Sequence, residues 1–116
     1  MRLAMYTHEN SGYCTDGNKE DLKNIVKRGV QYATDNDMYV IIDWHVLNEN
    51  SPLVYVDEAK KFFEEMAKTY ADQNNVLYEI CNEPCGGTSW SDVKKYAEGM
   101  TNLFFIRKKG EEEKPF

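Results

Sequence analysis

Three short runs of this chain end in residues equipped for chemistry. Arg2 to Tyr6 opens with a guanidinium and closes with a phenol. Asp43-Trp44-His45 ends an apolar run with a carboxylate and an imidazole, and Asn82-Glu83-Pro84 ends another with a carboxamide and a carboxylate. A carboxyl on a partly buried strand end has its pKa raised by desolvation, which suits Glu83 to donate a proton near neutral pH. Asn82 beside it can hydrogen-bond a substrate hydroxyl without competing for that proton. His45 and Arg2 can supply donors to a second carboxylate or to sugar hydroxyls. Tyr6 and Trp90 offer flat faces of the kind sugar rings pack against. Taken singly, each has a plainer reading: a structural histidine, a solvated glutamate before proline, a core aromatic. Agreement between independent strand exits is what favours a site.

The elements that must position these residues follow from pattern. Arg2 to Thr7 is strand-like and runs into a polar loop from His8 to Asn18. Leu22, Ile25, Val26, Gly29, Val30 and Ala33 then recur on one helical face, with Asn18 as cap and Asp35-Asn36-Asp37 as the break. Met38 to Trp44 is an apolar, β-branched run without alternation, as expected for a strand buried on both faces. A second helix carries Ala59, Phe62, Phe63, Met66, Ala67 and Tyr70, with Asp57 and Glu58 near its start. Val76 to Asn82 reads as a third strand. A third helix starting near Ser89 or Ser91 carries Val93, Tyr96, Ala97 and Met100. The order β-α-β-α-β-α implies parallel strands joined by helical crossovers, either in an open doubly wound sheet or in an arc of a (β/α)8 barrel. Both put the ligand site at the carboxyl ends of the strands. No glycine-rich phosphate loop follows a strand, which disfavours the nucleotide-binding version.

Composition narrows the partners. With 14 Lys and Arg against 20 Asp and Glu, the formal charge of −6 disfavours nucleic acid, whose phosphates call for a surplus of cations. No apolar run approaches the ~20 residues that cross a bilayer, and no signal-peptide pattern follows Met1. Cys14, Cys81 and Cys85 form neither paired zinc-ligand spacing nor an even disulfide set, so no metal or other cofactor is expected.

Arg-Leu-Ala-Met-Tyr-Thr (Arg2 to Thr7), Tyr-Val-Ile-Ile-Asp-Trp-His (Tyr39 to His45) and Tyr-Glu-Ile-Cys-Asn-Glu-Pro (Tyr78 to Pro84) together resemble glycoside hydrolase family 5, most closely its bacterial endo-β-1,4-glucanases. The resemblance covers residues 1–107, leaving 108–116 as a charged tail. It implies a (β/α)8 barrel, of which this chain holds strands two to four with their helices. It also implies retaining hydrolysis of β-1,4-glucan, with mannanases and xylanases sharing much of the signature. By the same resemblance Glu83 is the general acid/base and Asn82 contacts substrate beside the cleaved bond. Arg2 helps hold the nucleophile carboxylate, His45 is an active-site donor, and Tyr6 is an aromatic of the cleft. A secreted, extracellular parent is implied as well.

The chain departs from the family in one respect that bears on chemistry. The family's nucleophile is a second Glu on the seventh strand, and no residue here matches it. The carboxylates after Pro84 are Asp92, Glu98 and Glu111 to Glu113. A barrel takes about 250 residues, so 116 cannot close one. The alternative expectation is therefore an inactive fragment that at most binds glucan. Open sheet edges, with Val40 and Ile42 lacking an opposing layer, would favour self-association.

Overall fold

In a computed structural model, the backbone of residues 1–109 and the side chains of residues 1–104 are described. The elements are β1 (Arg2–Tyr6), α1 (Lys19–Asp35), β2 (Val40–His45), α2 (Val56–Thr69), β3 (Val76–Glu79) and α3 (Trp90–Lys109). The strands form one parallel sheet in the order β1-β2-β3. The helix boundaries have local causes. Asn18 caps α1 by accepting a 3.1 Å hydrogen bond from the Asp21 amide, and the chain leaves the helix through Asn36 and Asp37, the latter at φ +55°. Ser89 and Asp92 exchange side-chain-to-backbone hydrogen bonds of 3.1 and 3.2 Å, a capping box that starts α3. Residues 110–116, most of the expected tail, lie outside the described residues.

Register sorts the sheet into two faces. Leu3 pairs with Ile42 and Ile42 with Tyr78, so Leu3, Met5, Val40, Ile42, Trp44, Val76 and Tyr78 share one side. That side packs into one hydrophobic core with Val26, Val30 and Ala33 of α1, the α2 stripe, and Tyr96 and Met100 of α3. An aromatic series runs through it, with Tyr13–Trp44, Trp44–Phe62 and Phe62–Phe63 ring centroids 5.5, 5.3 and 5.3 Å apart. Helix α1 lies so close to β1 that a Cβ at Gly29 would stand 2.7 Å from the Leu3 side chain.

Two expectations are corrected here. Val40 and Ile42 are fully buried beneath the helices, not left without an opposing layer. The uncovered face carries Arg2, Ala4, Tyr6, Ile41 and Leu77 instead, and it is polar wherever it is charged. The third strand ends at Glu79, three residues short of Asn82, although the Asn82 amide still donates to the Trp44 carbonyl at 3.1 Å. The loss of regular pairing after Glu79 frees Asn82 and Glu83 to leave the pleat.

Phe63 is fully buried against Trp44, Phe62, Tyr78 and Phe104. Phe63→Ala should lower the unfolding free energy by about 3–5 kcal/mol. Tyr32→Ala, at a position 70% exposed, should change it by less than about 0.5 kcal/mol. Urea unfolding followed by Trp44 fluorescence compares the two.

Candidate active site

The uncovered face is built around Arg2. Its register row holds Ile41 and Leu77, and the next row toward the strand ends holds Ala4, Asp43 and Glu79. Ala4 contributes only a methyl group to that row, and Arg2 reaches both carboxylates from the position below. Its Nε and Nη2 donate to the two oxygens of Glu79 at 2.8 and 2.9 Å. Nη2 also lies 2.9 Å from Asp43 Oδ2 and 3.0 Å from Asn82 Oδ1. One guanidinium thus ties β1 to β2, β3 and the segment after β3. A planar fork of five donors suits this better than an ammonium would.

Asp43 is fully buried, and burial is the main cause of its raised pKa, opposed by the hydrogen bond from His45. Its Oδ2 receives His45 Nδ1 at 2.7 Å, while Oδ1 has no partner among the described residues. Glu79 shifts the other way, its carboxyl held below the usual range chiefly by the hydrogen bond from Arg2.

His45 is buried at the end of β2, with the half-exposed Tyr6 ring 4.4 Å from its own. Asn82 is also buried. Its Nδ2 donates to the Val46 carbonyl at 3.1 Å and lies 3.4 Å from His45 Nε2. The structure therefore brings together Arg2, Tyr6, His45 and Asn82, four of the residues singled out in the sequence. Glu83 follows Asn82 directly, so its backbone is held at the rim, but its side chain is exposed rather than shielded. Two loops are joined next to it. The Cys85 amide donates to the Asn50 carbonyl at 3.1 Å, and Cys85 Sγ lies 3.1 Å from Asn50 Oδ1. Gly86 adopts φ +60°, and a Cβ there would stand 3.0 Å from the Asn50 side chain. Trp90 is 78% exposed on the first turn of α3 and makes no ring contact among the described residues. Burial pushes the thiols of Cys14 and Cys81 up to about 12, so both are protonated at neutral pH.

Sequence reasoning missed Asp43 and Glu79 as the anchors of Arg2. The available signal was Glu79 itself, a carboxylate between Tyr78 and Ile80 inside a strand, where a charge requires a partner.

The family model described as Cellulase (glycosyl hydrolase family 5) matches residues 1–113. The chain belongs to glycosyl hydrolase family 5. Endoglucanase A of Butyrivibrio fibrisolvens is 57% identical over 99 residues, which make up 84% of this chain and 23% of that protein. An endoglucanase of Clostridium saccharobutylicum is 53% identical over 98 residues, covering 84% of this chain and 21% of that protein. The catalytic domain of Thermobifida fusca endoglucanase Cel5A, solved in complex with cellotetraose, superposes with a TM-score of 0.83 at 40% identity, covering 91% of this chain and 33% of that one. The chain thus spans under a quarter of the length of these two endoglucanases. Its three βα units are a sector of the family 5 (β/α)8 barrel, in which the face bearing Arg2, Asp43 and Glu79 points inward.

The two carboxylates make opposite contributions to pH dependence. Glu79, with its folded pKa below the ordinary 4.5, adds stability that is present above that value and is lost as pH falls through the lower folded one. Asp43, with its folded pKa above the ordinary 3.8, adds stability only at low pH and loses it as pH rises. Glu79→Gln should therefore lose less stability than the native chain between about pH 6 and about pH 3, as read by urea unfolding at both values.

Proposed function

We propose that this chain carries the acid/base part of a retaining endo-β-1,4-glucanase site. Glu83 protonates the glycosidic oxygen as the bond breaks and afterwards takes a proton from the attacking water. Asn82 contacts the substrate beside that bond, Arg2 and His45 order the floor of the site, and Tyr6 lies along a sugar ring. The observation that supports this best is the immobilisation of Asn82 by Arg2, His45 and the Val46 carbonyl, with Glu83 next in the chain and open to a ligand. The endoglucanase names of the relatives and the cellotetraose bound to the Thermobifida fusca domain favour a β-glucan over mannan or xylan. Secretion of the parent protein is part of the same reading.

Retaining hydrolysis needs two carboxyls about 5–5.5 Å apart, and this chain has no residue matched to the second. The purified chain alone should therefore turn over no carboxymethyl-cellulose. Residues 1–107, exchanged for the matching segment of the Butyrivibrio fibrisolvens enzyme, should give an active chimera. Glu83→Gln in that chimera should lower kcat by about 10²–10⁴-fold. An active chimera indifferent to the substitution refutes the assignment of Glu83, and a folded but inactive chimera counts against the whole reading.

The outer edges of β1 and β3 have no strand partner among the described residues. Self-association through these edges is part of the proposal. Sedimentation velocity over a concentration series should show a rising weight-average mass, and a monomer at every concentration would dismiss it.

A further inference from the structure

The carboxamide of Asn82 has one orientation that satisfies its neighbours. Its Oδ1 receives Arg2 Nη2 at 3.0 Å, a group that can only donate. Its Nδ2 meets the Val46 carbonyl at 3.1 Å, a group that can only accept. With the amide fixed this way, the nitrogen 3.4 Å from His45 Nε2 is a donor, so Nε2 must meet it with a lone pair.

The opposite side of the imidazole gives the same answer independently. Asp43 Oδ2 lies 2.7 Å from His45 Nδ1 and 2.9 Å from Arg2 Nη2. As a carboxylate it only accepts, so Nδ1 carries the hydrogen. Hydrogen bonds of one direction each thus run from Arg2 to Asn82, from Asn82 to His45 and from His45 to Asp43, with the Arg2–Asp43 ion pair closing the cluster. Such agreement is what defines a tautomer in a buried histidine.

We propose that Asp43 is a positioning residue that holds His45 in its Nδ1–H tautomer, so that Nε2 presents a lone pair to the Asn82 amide, which Arg2 and the Val46 carbonyl orient, and helps hold that amide in place. The proposal deepens the glycosidase reading and rests on it only for the substrate. The one lone pair of Nε2 already meets Asn82 Nδ2, so in this tautomer His45 has no free donor for a sugar hydroxyl, unlike the donor inferred from the sequence. The charged groups facing the imidazole are Asp43 on its own strand, Arg2 from β1 and Glu79 from β3.

The test is a long-range proton–nitrogen correlation spectrum of the isotope-labelled chain at about pH 8, well above the ordinary imidazole pKa of about 6.5. His45 should show a protonated Nδ1 and a bare Nε2. In Asp43→Asn an amide can turn a donor toward Nδ1, so the Nε2–H form should appear. The Asn82 side-chain amide protons should then exchange with solvent at least about tenfold faster. A native His45 that is Nε2–H or doubly protonated overturns the proposal. So does a folded Asp43→Asn with Nδ1–H alone and unchanged exchange. If the variant does not fold, the native spectrum decides by itself. No glucan enters either measurement, so this result and that of the chimera stand or fall separately.

Discussion

A guanidinium placed across three strands sets the terms for everything else on the inner face. Asp43 is fully buried, and a carboxylate in that position is costly unless a cation and hydrogen bonds meet it. Arg2 is that cation, and it also engages both oxygens of Glu79 and the oxygen of Asn82. Because these partners come from β2, β3 and the segment beyond β3, the network holds only if the strands keep their register. A shift by one residue would turn Asp43 toward the helices and replace it with an apolar neighbour.

The opposite face supplies the rigidity that makes this worthwhile. Trp44, between Asp43 and His45 in sequence, points into the aromatic series of Tyr13, Phe62 and Phe63. Alternation along one strand therefore anchors two polar side chains through the burial of the residue between them. On β1 buried Met5 likewise fixes the half-exposed Tyr6 beside it on the opposite face. The placement of the polar side chains is thus set by packing on the opposite face of the sheet.

Much of this was legible in the sequence because it depends on local chemistry. The order of elements, the Asn18 cap, the break at Asp35 to Asp37 and the stripe of α2 all follow from patterns within one turn or one loop. Tyr6, His45 and Asn82 were also legible, since parallel strands present their carboxyl ends on one side, whereas Arg2 opens β1 and reaches them from the row below. The face assignment was not. A run such as Val40 to Trp44 has no alternation to read, and only pairing with Leu3 and Tyr78 shows which side the helices cover. The partnership of Arg2 with Asp43 and Glu79 escaped for the same reason, since it spans up to 77 residues and exists only once three strands are aligned. The exposure of Glu83 depends on β3 stopping at Glu79, an ending that no residue type signals.

Gly29 and Leu3 illustrate a different sort of dependence. The helix crosses β1 so closely that the leucine side chain fills the space a Cβ at position 29 would need. The two positions therefore share a single volume, and bulk can be moved between them but not added. Enlarging residue 29 would lift α1 off the strand that carries Arg2 unless residue 3 shrank to match. Among variants of this chain, a compensated pair at 3 and 29 would be tolerated where the larger residue at 29 alone would not, which makes an outer-layer glycine a silent partner in the geometry of the inner face.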